Sequence, residues 1–172
     1  TVARLHWKKG LEYTIQALAI LKEQNILFQY TIIGEGQERE RLIFTIHQLG
    51  LEDRITFVGS VPHQDIMKYY EAADIYLQYS IQEGFCNALL EAQAMGLITI
   101  VSNAEGLPEN VIHGRTGWVV PKRSPNLLAK KIEHVLGISD EELNKIRENA
   151  MSRVKKEFNL EKQSQKFHSF FN

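Results

Sequence analysis

The sequence of 172 residues lacks the features that mark several special classes of protein. It has one cysteine, Cys86, which excludes an internal disulfide and a cysteine-rich zinc site. It has 20 Lys and Arg against 21 Asp and Glu, so no charge excess draws it to nucleic acid or to an acidic membrane. It has no apolar run of about 18 residues, so we expect no membrane span.

The composition does not indicate disorder or a metal centre. Hydrophobic residues make up 44% of the chain and charged residues 24%, while glycine and proline number 11 and 4. These values are those of a globular protein, and at about 150 residues per domain they predict one domain over 1–172. The six histidines are scattered with no pair at ligand spacing, so we expect no metal ion. Together the absences favour a reducing, cytoplasmic location.

Short apolar strands alternate with amphipathic helices along the chain. The predicted strands are 28–33, 55–58, 74–79, 98–101 and 117–120, and Thr1–Leu5 resembles the end of a further strand. The predicted helices are 10–24, 37–49, 63–73, 86–95, one beginning at Pro125, 140–157 and a last one after Asn159. This alternation predicts the α/β class, with a doubly wound parallel sheet covered by helices on both faces.

Ligands of doubly wound sheets bind beyond the carboxyl ends of the strands. The loops to inspect are therefore 4–10, 34–36, 59–62, 80–87 and 102–108. In the first loop, Arg4 and Lys9 flank a predicted strand-to-helix turn. Arginine offers a bidentate fork and lysine a point charge, so this pair suits a diphosphate. The alternative is that both are ordinary solvated surface cations.

The second loop, Gly34-Glu35-Gly36, follows a strand and opens a helix, as a dinucleotide fingerprint does. However, Arg39 stands where the third glycine belongs, and Asp53 precedes a strand rather than ending one. We therefore favour a tight turn over a nicotinamide site. A turn beside a bound ligand remains open for Gly34.

Two acidic residues lie around the helix predicted over 86–95. Glu83 directly precedes it, where the free N–H groups of its first turn attract anions or sugar oxygens. An ordinary acid that complements the helix dipole is an equal alternative. Glu91 lies inside a helix that is apolar nearly all round, and a buried carboxylate needs a partner. A hydroxyl-rich ligand would supply one; the alternative is a wet position at the helix edge.

Four segments carry a resemblance to a known family. They are Glu83–Ala92 with its E-x7-E pattern, Arg4-Leu5 followed by Lys9-Gly10, Gly106-Leu107-Pro108-Glu109, and His113-Gly114 with Thr116-Gly117. In this order they resemble the motifs of retaining glycosyltransferases of the GT-B fold, family 4, and the resemblance covers about 1–157. It implies a Rossmann-like domain, one half of the GT-B fold, that binds a nucleoside-diphosphate sugar.

The resemblance also implies roles for individual residues. Arg4 and Lys9 would hold the diphosphate and stabilise its charge as it leaves, and Glu83 would accept hydrogen bonds from the transferred sugar. The main-chain N–H groups of Gly84, Phe85, Cys86 and Asn87 would meet sugar or phosphate. Glu91 would bind the ribose hydroxyls, the backbone near Val61 would read the base, and Gly34 would border the ligand. Arg4, Lys9 and Glu83 are thus the expected catalytic residues.

Three positions depart from the family pattern. Cys86 replaces the second glycine of the usual Gly-Phe-Gly, which puts any need for a positive φ there in doubt. Tyr79 replaces a frequent proline, and Ala3 a frequent glycine. None of these changes removes a side chain that would bind the donor.

In the family this region is the carboxyl-terminal domain, so we expect a fragment that lacks an upstream acceptor-binding domain. The acceptor would be a glycan, a lipid or a small molecule, as in polysaccharide biosynthesis, and the missing domain could attach peripherally to a membrane. A terminal helix over about 158–172 would meet that domain or pack on its own core. No cofactor or metal is expected. The alternatives are a non-catalytic nucleotide-sugar sensor or scaffold and an NAD-binding Rossmann domain.

Overall fold

The structure, a computed structural model, describes residues 1–158 and contains five strands and seven α-helices in that range. The strands are β1 (Tyr30–Ile33), β2 (Ile55–Gly59), β3 (Ile75–Gln78), β4 (Ile98–Ser102) and β5 (Trp118–Val120). The helices are α1 (Leu11–Glu23), α2 (Arg39–Gln48), α3 (His63–Glu71), α4 (Asn87–Ala94), α5 (Leu107–Asn110), α6 (Pro125–Leu136) and α7 (Asp140–Glu157). The terminal helix predicted after Asn159 lies outside the described residues.

Every predicted strand and helix within 1–158 is confirmed, and two short elements are additional. A 3-10 turn occupies Trp7–Lys9, where the His6 side chain accepts a hydrogen bond from the Lys8 N–H. The four-residue α5 follows Gly106, with Pro108 at its start. Both elements are too short to display a helical period in the sequence, which is why spacing did not predict them.

All strand pairs are parallel. β1 pairs with β2, and β3, β4 and β5 form a three-stranded ladder in that order. The segment 1–5 lies between the two ladders: the Ala3 N–H donates to the Ile33 carbonyl at 2.9 Å, and Thr1 Oγ1 donates to the Leu77 carbonyl at 2.6 Å. The strand order is therefore β2, β1, the segment 1–5, β3, β4, β5.

Helices cover both faces of this sheet, and each face has its own core. On one face Ile15 of α1 and Leu128 of α6 pack with Ile100 of β4. On the other, Leu89 of α4 packs with Val101, the next residue of β4. Successive strand residues point to opposite faces, so an all-apolar strand must be buried on both sides. The predicted α/β class is confirmed.

The turn after the segment 1–5 is pressed against the turn after β3. The Ile81 N–H donates to the Lys8 carbonyl at 2.7 Å. Gly10 has φ +63°, and a Cβ placed on it would lie 2.1 Å from the Tyr79 carbonyl oxygen. Only glycine combines this backbone angle with such a close approach. The two loops that carry most of the candidate residues are thus held side by side.

Candidate functional site

A cleft opens at the carboxyl ends of the segment 1–5 and β3. These two lie side by side, joined by the hydrogen bond of Thr1 Oγ1 with the Leu77 carbonyl, but the chain runs outward from the first through β1 and β2 before returning to β3. Such a reversal of strand order is where doubly wound sheets bind ligands. The cleft has a volume of about 300 Å³ and is lined by Arg4, His6, Lys8, Lys9, Gln82, Glu83 and Gly84.

The structure brings three sequence-predicted residues together in this cleft. Lys9 Nζ donates to Glu83 Oε2 at 2.6 Å, and the two side chains are only 18% and 10% exposed. Arg4 lines the same cleft, and its guanidinium has neither a hydrogen bond nor an ion pair within residues 1–158. The pair neutralises itself and leaves the Arg4 guanidinium as an uncompensated cation, which favours an anionic ligand.

The turn before α4 presents main-chain donors. In the described part of the chain, the N–H groups of Gly84, Phe85 and Asn87 have no acceptor. The Cys86 N–H instead faces Asn110 Oδ1 at 3.4 Å, and no side chain caps α4. A helix start with free N–H groups favours anions and polar oxygens. Of the four predicted positions, Gly84, Phe85 and Asn87 therefore remain available to a ligand.

Cys86 is the buried residue of the turn before α4. Its φ of −109° and ψ of 97° are extended, so the position does not need a glycine. The residue is 7% exposed, and burial raises the pKa of its thiol to about 11. The thiol is therefore neutral at physiological pH and packs as a small apolar group.

Glu91 corrects one expectation, because its side chain is 35% exposed rather than buried. It lies at the edge of α4, where the Tyr70 hydroxyl donates to its Oε2 at 3.2 Å and His63 Nε2 lies 3.9 Å from its Oε1. Burial, and then the Glu91 charge, raise the pKa of Tyr70, which keeps its proton for this bond. Val61, predicted near the base, is half-buried in the loop that leads into α3, two residues before His63.

Gly34 is not among the residues that line the cleft, although it packs against the segment 1–5 that carries Arg4. Its φ is +135°, its N–H donates to the Gly59 carbonyl at 2.8 Å, and a Cβ would lie 2.0 Å from the Ala3 carbonyl oxygen. The contact with the segment 1–5 is sufficient to require glycine here. A ligand contact of Gly34 stays a prediction.

Several residues of the site escaped the sequence analysis. Gln78, the last residue of β3, and Ser80, two residues beyond it, both donate hydrogen bonds to Glu83. The Glu105 carboxylate accepts the Glu83 N–H at 3.3 Å, and its hydrogen bond with Lys122 lowers the pKa of Glu105. One signal was present in the sequence: a glutamine inside a fully apolar strand requires a buried partner.

Two searches returned negative results for residues 1–158. No group of three or more His, Cys, Asp or Glu side chains in that range is arranged to hold a metal ion. None of the helices described there combines the length and the apolar character needed to cross a bilayer.

Comparison with known proteins decides the family. The sequence profile described as glycosyl transferases group 1 matches residues 1–153. The chain belongs to this family. Among curated proteins, WcaL of Salmonella typhimurium, named for colanic acid biosynthesis, is 35% identical over 165 residues. The amylovoran biosynthesis glycosyltransferase AmsK of Erwinia amylovora is 41% identical over 135 residues, which is 75% of this chain and 33% of AmsK.

The group 1 chain covers only part of these relatives. The match with WcaL takes in 92% of this chain and 41% of WcaL. Among solved structures, Anabaena HepE in complex with UDP superposes with a TM-score of 0.88 at 26% identity, covering 99% of this chain and 47% of HepE. The carboxyl-terminal domain of a Francisella tularensis group 1 protein superposes with a TM-score of 0.80 at 26% identity, covering 92% of this chain and 85% of that domain. The Rossmann-like half of a GT-B glycosyltransferase is therefore the fold of this chain.

Proposed function

We propose that this chain is the carboxyl-terminal, donor-binding domain of a family 4 glycosyltransferase that transfers a sugar with retention from a nucleoside diphosphate. The observation that carries the proposal is the meeting of Arg4, Lys9 and Glu83 in one cleft beside the free N–H groups that precede α4. Crystal structures of HepE with UDP and with UDP-glucose, both at 26% identity, support a sugar-nucleotide ligand. The match to a carboxyl-terminal domain from Francisella supports the assignment within the longer protein.

In this proposal the diphosphate lies against Arg4 and Lys9. The Arg4 guanidinium is free of protein partners among the described residues, so it can take two phosphate oxygens without breaking an existing contact. Breaking the anomeric bond leaves negative charge on the diphosphate and positive charge on the sugar. Fixed cations at the phosphate stabilise that separation directly, and the reaction then requires no metal ion.

The transferred sugar lies against Glu83 and the turn that follows it. Sugar hydroxyls donate to the Glu83 carboxylate, and the N–H groups of Gly84, Phe85 and Asn87 donate to sugar or phosphate oxygens. Glu83 orients the ring, and the donor phosphate receives the proton of the acceptor hydroxyl. Cys86 contributes by packing, because its N–H already faces Asn110.

The nucleoside lies along α4 and α3. Glu91 accepts the ribose hydroxyls, and the Tyr70 hydroxyl, which donates to its Oε2, orients the carboxylate. The backbone around Val61 meets the base. The partial exposure of Glu91 suits this role better than burial would, since the ribose must reach the carboxylate from solvent.

The acceptor site lies on a second domain outside this sequence. The chain spans 41% of WcaL and 33% of AmsK, which leaves room for such a domain in proteins of this kind. The names of both relatives support an acceptor glycan or lipid of polysaccharide biosynthesis. In this proposal the enzyme is cytoplasmic and contacts a membrane through that second domain.

Titration calorimetry of the chain with UDP, GDP, ADP and NAD tests the proposal. We expect one nucleoside diphosphate to bind and NAD to show no heat of binding. Replacing Lys9 by Met removes one charged contact, worth about 1.5–3 kcal/mol, and should weaken that binding by roughly 10- to 100-fold.

The matched control is Lys145→Met. Lys145 pairs with Glu141 at 2.7 Å as Lys9 pairs with Glu83, but on an exposed helix face. We expect it to leave nucleotide affinity unchanged. Tighter binding of NAD than of any nucleoside diphosphate, or equal effects of the two lysine variants, would refute the donor site.

A further inference from the structure

A line of buried polar side chains lies directly behind Glu83. Gln78 at the end of β3 is 1% exposed and Ser80 is fully buried. Polar groups inside a sheet covered on both faces destabilise the fold unless they are hydrogen-bonded. Their presence here therefore calls for partners, and the partner at the end of the line is Glu83.

Each donor in this line of hydrogen bonds points toward Glu83. The Tyr76 hydroxyl donates to Gln78 Oε1 at 2.9 Å. Gln78 Nε2 then donates to Ser80 Oγ at 2.9 Å and to Glu83 Oε2 at 3.2 Å, and Ser80 Oγ donates to the same Oε2 at 2.9 Å. Reversing the Gln78 amide would set its carbonyl oxygen against the carboxylate, so the Glu83 charge fixes its orientation.

The two oxygens of Glu83 are consequently unequal. Oε2 accepts from Lys9, Gln78 and Ser80, which fills the capacity of that oxygen. Oε1 accepts from no group among residues 1–158. A carboxylate held by three donors on one oxygen has its second oxygen fixed in direction and free for a ligand.

We propose that Gln78 is a positioning residue, which fixes Glu83 Oε2 from inside the sheet so that Oε1 is presented to the transferred sugar of the donor. This inference rests on the proposed donor site. Gln78 does not contact the sugar; it acts through Glu83. Its loss should therefore weaken recognition of the sugar and leave recognition of the diphosphate intact.

The test compares the affinities of the chain for UDP-glucose and for UDP by calorimetry. Gln78→Met keeps the side-chain volume and removes both N–H donors. We expect it to weaken UDP-glucose binding about fivefold, the effect of one hydrogen bond, and to change UDP binding less than twofold. Ser80→Ala removes a second donor to the same oxygen and should act in the same direction.

The matched control is Gln93→Met. Gln93 of α4 is also 1% exposed and donates to Thr99 of β4 and to the Thr116 carbonyl, but it has no bond to Glu83. It should leave the ratio of the two affinities at the wild-type value. Thermal unfolding of all variants checks that they fold.

Each outcome bears on a separate claim. A Gln78→Met chain that keeps the wild-type ratio, or that loses UDP and UDP-glucose affinity equally, overturns the positioning role while the donor site stands. A wild-type chain that binds none of UDP, GDP, ADP and their glucose conjugates overturns the donor site and the positioning role with it; if GDP or ADP is the one bound, the same comparison is made with its glucose conjugate.

Discussion

The charged residues of the cleft differ from charged residues on the exposed surface in how their charges are compensated. Lys9 and Glu83 form a largely buried pair, whereas Lys145 and Glu141 form an exposed one with side chains 67% and 81% exposed. Exposed pairs contribute about 0–1 kcal/mol because water screens them. In the largely buried pair, Lys9 and Glu83 have less access to water as an alternative hydrogen-bond partner. Their mutual contact therefore defines the geometry of the cleft without a ligand. The Arg4 guanidinium, with no partner in the described chain, is available to attract an anionic ligand.

Cys86 provides a prediction at this scale. Its pKa of about 11 means that roughly one thiol in a thousand is ionised at pH 8, and only the thiolate reacts with alkylating reagents. We expect iodoacetamide to leave native Cys86 unmodified over the time in which the denatured chain is fully alkylated, as read by mass spectrometry. Rapid stoichiometric labelling of the folded chain would show that the turn before α4 is open.

The same raised pKa has a consequence for stability. The folded chain holds the thiol proton to higher pH than the unfolded chain, whose thiol has a pKa near 9. The contribution of Cys86 is therefore present below pH 9 and is lost as the pH rises toward 11.

Sequence reasoning located the charged residues of the site but not their surroundings. The loop rule and the family motifs selected Arg4, Lys9 and Glu83, and the structure brings them together. The burial expected for Glu91 was wrong, because an apolar helix sequence does not reveal which neighbour, here Tyr70 of α3, borders its edge. Gln78 was missed because its partner is set by the fold and not by spacing.

At the scale of elements, the site depends on the contact between the turn 4–10 and the turn after β3. Gly10 lies at the closest point of that contact. A Cβ added to Gly10 would lie 2.1 Å from the Tyr79 carbonyl oxygen. Gly50 has nearly the same φ, +62° against +63°, but a Cβ there would meet only the flexible end of Lys22 at 3.1 Å. A comparison of alanine substitutions at the two glycines therefore distinguishes the cost of backbone strain from the cost of close packing.

We predict that Gly50→Ala lowers the free energy of unfolding by about 1–2 kcal/mol, the strain of a left-handed residue. Gly10→Ala should lower it by about 1–3 kcal/mol more, since the added methyl forces the two turns apart. Urea unfolding measures both. Equal losses would mean that the turns are not in firm contact.

Element boundaries followed from the sequence where the elements are long. β1, β2 and β4 end where apolar residues give way to glycine or serine, and Pro125 marks the start of α6. The turn Trp7–Lys9 and α5 escaped because three or four residues cannot display a period. Their positions depend on tertiary contacts, as in the hydrogen bonds of the Ile81 and Gln82 N–H groups with the Lys8 carbonyl.

At the scale of the whole molecule, the reversal of strand order between the segment 1–5 and β3 determines where the cleft opens. A doubly wound parallel sheet was predicted from the alternation of strands and helices and from the right-handed crossover rule, but the strand order was not. The segment 1–5 was identified only as the end of a strand. Its place between two ladders requires the hydrogen bonds of Ala3 and Thr1 that the structure provides.

A further prediction concerns metal ions. The cations of the cleft belong to the chain itself, and no cluster of potential metal ligands occurs within 1–158. We expect EDTA to change the affinity for UDP less than twofold, with added Mg²⁺ equally without effect, as measured by calorimetry. A tenfold loss in EDTA that Mg²⁺ restores would mean that a metal bridges the diphosphate.

The most direct test of the donor site is a crystal structure of this chain with UDP-glucose. We predict the diphosphate within hydrogen-bond distance of Arg4 and Lys9, the glucose hydroxyls at Glu83 and the ribose at Glu91. A nucleotide bound at the Gly34 turn, with no contact to Arg4, Lys9 or Glu83, would contradict the account.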